Sequence, residues 1–418
     1  MRWRRSDRPR RRPGSVAAAG TLVVLGTCSC LTPAPVGASV ATAPPTPASA
    51  ARAAAPTDRD RDGLSDRVEL GATALARPSL APLTTAFARR RSQPVRLLFL
   101  GSSTTYGVGA SSAAAGFVDQ VVARLQSRFP VGTSTSRPPR RLAESTDRPD
   151  GRPGVQGVNG AAGGSTAATY FSPAHEYAVR VLQPTCVLHM IGSNDSVARV
   201  PAATFVSQVE DVVRRIDAVS THPPCHVLLQ PVRRYQVSVE AWQDYGNALE
   251  QLALRRPRVT FADLGSTFEA QDALGADPHD LVGPDAVHLT DAGHALLART
   301  LVDALALTRR GLGTGTDPGR PDTDRDGLTD AREIHGYVVR QRVVACSGAV
   351  RLRFRVRSVA YLRDTDDDSV TDRREAEGYR LADGRVVRTD PTRVDTDGDG
   401  RTDGREAARP RADPTRCD

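Results

Sequence analysis

The chain has no lysine; all 56 of its basic residues are arginine, a bias of composition rather than of function. Nor is it basic along most of its length. Seven arginines and one aspartate precede residue 39, and without them the formal charge of +8 falls to about +2. That excludes the electrostatic footprint of a nucleic-acid-binding protein. Long apolar runs are also missing. The one candidate, Val16 to Leu31, is too short for a membrane span and ends at Pro33 and Pro35. With arginines before it and small residues after it, residues 1–41 read as a signal peptide cut near Ala38 or Ala41. The expected location is therefore extracellular. A lipid anchor at Cys28 or Cys30 is the alternative, and it fits less well because Thr27 is bulky for the position before the cysteine. Residues 42–57 are rich in Ala, Pro and Thr, the composition of a linker without packed structure.

Four cysteines remain after processing: Cys186, Cys225, Cys346 and Cys417. An even number in an exported chain implies two disulfides. Three pairings exist, and Cys186–Cys225 with Cys346–Cys417 is preferred because each pair lies within one proposed domain.

From residue 94 to 308 apolar strands alternate with segments of helical period, the pattern of a parallel sheet covered on both faces. Strands are expected at 95–100, 155–158, 186–191, 226–230 and 259–262, and helices at 113–129, 177–182, 205–219, 239–254 and 290–307. The polar stretch 130–154 reads as a long surface loop, and the segment holding Pro78 and Pro82 as a linker.

Polar loops follow three of the strands. Gly101-Ser102-Ser103-Thr104 follows the first, Asn159-Gly160-Ala161-Ala162-Gly163-Gly164 the second, and Gly192-Ser193-Asn194-Asp195 the third. Carboxyl ends of strands are where open α/β sheets place their sites. Near the end of this region stands Asp285-Ala286-Val287-His288, followed by Thr290 as the expected cap of the last helix. A serine hydroxyl needs a base, and the base needs an orienting carboxylate. One short loop supplies both.

These four blocks, in this order, resemble those of the SGNH/GDSL hydrolases. The resemblance covers residues 94–308 and implies a flavodoxin-like three-layer α/β/α fold on a parallel five-stranded sheet. It implies Ser103 as nucleophile, His288 as base and Asp285 as its partner, with Gly164 and Asn194 as oxyanion donors beside the Ser103 N–H. Two positions depart from the family pattern: Ser102 stands in place of the usual Asp, and Ala161 where a second glycine is common. His189 and His294 are read as structural, and His222 and His226 are not read as a metal pair.

Four acidic repeats flank this region: Asp58, Asp60, Asp62, Asp66 and Glu69; Asp322, Asp324, Asp326, Asp330 and Glu333; Asp364, Asp366, Asp368, Asp372 and Glu375; and Asp395, Asp397, Asp399, Asp403 and Glu406. Each fits a twelve-residue calcium loop, in which carboxylates at positions 1, 3, 5 and 12 converge on one hard cation. Position 6 is glycine at Gly63, Gly327 and Gly400, whereas Ser369 replaces it in the third loop in chain order and implies strain there. The repeats resemble bacterial thrombospondin type-3 repeats, and Asp322 to Tyr337 also resembles the calcium-binding segment of binary-toxin pore-forming subunits. Flanking helices that would pair as EF-hands are absent from the pattern, so isolated loops are expected at 58–69 and through 317–418.

The reading is an exported serine esterase with no cofactor for catalysis and calcium in its repeats. Its expected partner is a small-molecule or polysaccharide ester, acetylated sugar or lipid. No long apolar lid is visible, which argues against a lipase. The alternative is a calcium-dependent binding or display protein at the cell surface, its hydrolase-like domain silent. Hydrolysis of short-chain nitrophenyl esters separates the two, and an unchanged rate in Ser103→Ala would sink the enzyme reading at its nucleophile.

Overall fold

Alternation along the strands builds a two-faced sheet. In β1 (Pro94–Gly101) Val95, Leu97 and Phe99 join one buried cluster while Leu98 and Leu100 join another, as the two-residue period requires. The other strands are β2 (Arg140–Arg141), β3 (Gly154–Asn159), β4 (Cys186–Met190), β5 (Cys225–Gln230) and β6 (Val259–Asp263). Their spatial order is β2-β3-β1-β4-β5-β6, and all pairings are parallel. Helices Ala81–Ala88, Phe117–Arg128 and Asp291–Ala304 cover the first face; Pro173–Leu182, Ala202–Val219 and Val239–Arg255 cover the second. This is the three-layer α/β/α hydrolase fold expected from the pattern. The computed structural model describes residues 57–132, 137–147, 149–273, 278–409 and 411–417. The expected signal peptide, Cys28, Cys30 and all but the end of the linker lie outside the described residues.

Two details differ from the sequence reading. The sheet has six strands rather than five, because β2 pairs with β3 inside the stretch read as a loop. Two residues are too few to show a strand period, and the short helix Leu142–Asp147 follows directly. Nor is the segment before β1 a linker. Pro78 and Pro82 sit in the first turns of Pro78–Leu80 and Ala81–Ala88, where a missing N–H leaves no helical bond unmade. Leu80, Leu83 and Phe87 from these turns are fully buried in the first-face core.

Both disulfides take the preferred pairing. Cys186 and Cys225 are register partners on β4 and β5, with Cα atoms 4.5 Å apart. Cys346–Cys417 ties the chain's last described turn to the hairpin segment between the second and third repeats.

The repeats are not isolated. The helix Asp66–Ala76, which completes the first loop, kinks at Gly71, whose φ is +79°. A Cβ there would lie 2.3 Å from Gly313 N, so only glycine admits the chain leaving the catalytic domain. Thr314 N–H donates to Val68 C=O at 3.0 Å. The hydrolase domain is thus inserted between the first and second repeats, and the array closes across it.

Candidate active site and calcium loops

The three catalytic candidates come from opposite ends of the domain and meet at the carboxyl edge of β1. Ser103 opens the short helix Ser103–Tyr106, with extended Ser102 before it and left-handed Gly107 after it. Gly101 is required at that bend, since a Cβ there would lie 2.5 Å from the Met190 carbonyl of β4. His288 Nε2 lies 3.0 Å from Ser103 Oγ, and its Nδ1 lies 2.6 Å from Asp285 Oδ2. Asp285 Oδ1 accepts from the N–H groups of Val287 and His288 at 3.0 and 2.9 Å. Those backbone bonds, with the imidazole, hold the carboxyl down at about 2. Thr290 caps the helix Asp291–Ala304 through Gly293 N–H, which steadies the histidine's loop from below.

The loops after β3 and β4 form the remaining wall. Asn159 Nδ2 donates to Thr105 C=O and Ala162 N–H to Gly101 C=O, fixing the glycine loop against the serine turn. Gly164 is exposed with φ +75°, and nothing stands within 4 Å of where its Cβ would be. Asn194 Nδ2 donates to Ser165 C=O at 2.8 Å, and Asn194 Oδ1 accepts from Arg234 at 2.9 Å. Arg234 was not singled out from sequence, because one arginine in a loop after a strand carries no pattern.

His294 and His189 are structural, as expected. His294 is buried and accepts from Phe117 N–H. His189 Nε2 lies 3.0 Å from His226 Nδ1, His189 Nδ1 lies 3.1 Å from Tyr170 Oη, and His226 Nε2 lies 3.2 Å from Asp217 Oδ1. His226 is therefore committed to this buried chain.

In all four acidic loops the position-1 carboxylate accepts backbone N–H bonds from positions 4 and 6: Asp58 from Arg61 and Gly63, Asp322 from Arg325 and Gly327, Asp364 from Asp367 and Ser369 (with a third from Asp368), and Asp395 from Gly398 and Gly400. Ser369 adopts φ +85°, in the region its glycine counterparts occupy, so the strain expected of it is present. Position-9 carboxylates face inward to clasp their own loop: Asp66 binds Arg59, Asp330 Thr323, Asp372 Thr365 and Asp403 Thr396.

One carboxylate of each of the first three loops then reaches its neighbour. Asp62 accepts from Ala331 N–H, Asp326 from Arg373 N–H and Asp368 from Gly404 N–H. Position-12 glutamates are bound by the next repeat's entry hydroxyl: Glu69 by Thr316, Glu333 by Ser358, Glu375 by Thr389. Positions 1, 3 and 5 cluster by themselves, while Glu375 groups with Asp368 and with Asp403 of the following repeat. Asp368 belongs to the glutamate's own loop, so Glu375 stands both under that loop and at the junction, and Glu333 likewise feels its own loop's Asp324 and Asp326.

The residues fit a cation. Asp60 Oδ2, Asp324 Oδ2, Glu69 Oε2, Glu333 Oε2 and both oxygens of Asp366 are buried with no hydrogen-bond partner among the described residues. Burial, with neighbouring carboxylates adding, pushes Glu333 up to about 9 and Asp324 and Asp366 up to about 7. An oxygen-only donor set of this density suits a hard cation such as calcium.

Residues 99–296 match the GDSL-like Lipase/Acylhydrolase family, and residues 321–350 match the clostridial binary toxin B/anthrax toxin PA Ca-binding domain. No curated protein matches the chain. Among solved structures, a two-domain esterase (CEX) active on acetylated mannans is 20% identical, with a TM-score of 0.43 over 63% of this chain and 61% of its own. The chain thus spans about 61% of that esterase's length. Axe2, an acetylxylan esterase from Geobacillus stearothermophilus, is 20% identical (TM-score 0.38, 51% of this chain, 94% of its own). The esterase EstA from Pseudoalteromonas sp. is 15% identical (TM-score 0.37, 51% and 97%).

Proposed function

Starting from a chain that carries a GDSL-like lipase/acylhydrolase domain, we propose an exported serine esterase that works through Ser103, His288 and Asp285. The observation that carries this reading is the unbroken relay from Ser103 Oγ through the imidazole to Asp285 Oδ2. Ser103 Oγ attacks the ester carbonyl as His288 Nε2 takes its proton. Asp285 holds the ring's Nδ1–H and stabilises the imidazolium that forms. The oxyanion is received by the N–H of Ser103, the N–H of Gly164 and the Asn194 amide proton not engaged by Ser165. His288 returns its proton to the leaving alcohol, and water then releases the acid from the acyl-serine by the same steps in reverse order. No metal ligand belongs to this relay.

The substrate we propose is an acetyl ester on a polysaccharide, in keeping with the acetylated substrates named for two of the similar esterases. Calcium, held at the loop and junction carboxylates, would supply the positive charge that lets the repeats stack; Asp60, Asp324, Asp366 and the position-12 glutamates are the residues that would hold it. The test is hydrolysis of 4-nitrophenyl acetate by Ser103→Ala. A loss of at least about a thousandfold is expected. A rate equal to that of the unaltered protein would refute the nucleophile, and with it the enzyme.

A further inference from the structure

Arg234 lies just past the carboxyl end of β5, half-buried beside Asn194. One of its guanidinium N–H groups donates to Asn194 Oδ1 at 2.9 Å. The carboxylate whose charge acts on it is that of Asp285. Among the described residues no carboxylate lies within ion-pair distance of it. Asp285 is not free to serve, since both its oxygens are engaged by His288 and by backbone N–H groups. Its neighbour Arg233, by contrast, is paired with Glu269 at 3.4 Å. A guanidinium has five N–H donors in a fixed fork. Half-buried, and with one donor used on Asn194, it has donors left for an anion that no described residue supplies at ion-pair distance. A second cation stands beside the serine turn: Arg141, whose guanidinium lies 4.2 Å from the ring of exposed Tyr106.

We infer that Arg234 is a substrate-anchoring residue that selects esters carrying an anionic group, such as a carboxylate, near the reacting carbonyl. This rests on the esterase reading above and narrows its substrate class to acidic esters. The bond to Asn194 gives Arg234 a second effect, as a positioning residue: it holds the amide oxygen away from the cleft and so keeps the nitrogen turned toward the oxyanion. A bidentate pair between the remaining N–H groups and a carboxylate has the geometry arginine favours.

The experiment measures kcat and KM on two matched pairs of esters. In 3-acetoxybenzoate against 3-acetoxybenzamide the charge is on the alcohol part; in 4-nitrophenyl hemisuccinate against 4-nitrophenyl butyrate it is on the acyl part. The unaltered protein is expected to favour the anionic member of one pair by about tenfold in kcat/KM, mostly through KM, equivalent to about 1.4 kcal/mol. The pair that shows the preference tells which side of the ester bears the anion. Arg234→Gln should erase it and also lower kcat several-fold on both members, because Asn194 loses its anchor. Arg234→Lys should keep part of the preference, with kcat still reduced. A thermal melt of each variant reads folding separately. Equal kcat/KM within both pairs, or a preference that survives Arg234→Gln, would overturn this inference while Ser103-dependent hydrolysis of the neutral esters left the esterase reading standing. Failure to hydrolyse any of the four esters would overturn both.

Discussion

The catalytic domain and the repeat array solve the same problem with opposite materials. The domain buries aliphatic and aromatic side chains on both faces of a sheet, and its interior would stay together in water with no added ligand. Each repeat instead buries carboxylates. Glu333, Asp372, Glu375 and Asp403 are fully inaccessible, while the apolar cluster beneath the second repeat amounts to Leu328, Tyr337, Val339, Val356 and Ala376. So small a core cannot offset chain entropy and charge repulsion alone. One region is held by what it excludes from water; the other, on the proposal above, by a cation it takes from it.

That contrast can be broken most directly by removing calcium. At about a thousand times its Kd, a ligand contributes roughly 4 kcal/mol per site. Chelation should therefore melt the array in a separate calorimetric transition while that of the catalytic domain shifts little. A single transition that moves as a whole would show that the closure at Gly71 and Thr314 couples the two regions fully. Next in size is the Cys346–Cys417 disulfide. Replacing both cysteines with serine should cost the array about 2–4 kcal/mol, with ester hydrolysis unchanged; a fall in the catalytic domain's own melting point would contradict the division.

Acid should act in the reverse sense, on the catalytic domain. Burial holds His189 and His226 below their ordinary range, in His226 against the pull of Asp217. A histidine that resists protonation only when folded contributes stability above its unfolded value of about 6.5 and loses it as pH falls. Urea unfolding from pH 7.5 down to 5 should show a slope approaching about 1.4 kcal/mol per pH unit per histidine. A His189→Asn, His226→Asn double variant should reduce it to what His175 and His294, also held down by burial, contribute; an unaltered slope would place the acid response elsewhere. The smallest effect sharpens the picture at the junction. Thr316→Val removes the hydroxyl on Glu69 and should cost about 1 kcal/mol of array stability, read as weaker calcium binding at the first junction and not at the last.

Much of this was legible in the sequence. Five of six strands announced themselves by apolar runs, and the catalytic blocks by their order at strand ends. The acidic loops showed their internal spacing, down to the serine that stands where φ must be positive. What stayed hidden has a common cause. A two-residue strand at Arg140 has no period, and prolines in a first helical turn look the same as prolines in a linker. The stacking of one loop on the next depends on bonds such as Asp62 to Ala331, between residues far apart in the chain.

The same holds for function. Residue types and local spacing alone determined which groups could do chemistry: a serine after a strand, an Asp three residues before a His, a ladder of carboxylates. Only the folded chain decided which of them meet, because parallel pairing brings distant loops to one sheet edge and backbone closure sets which carboxylates share a junction. Arg234 is the clearest case. Its charge is evident in the sequence, but that it stands beside Asn194 with no acid at ion-pair distance among the described residues is a fact of three dimensions, since ion pairing is decided by a few ångströms of space and not by separation along the chain.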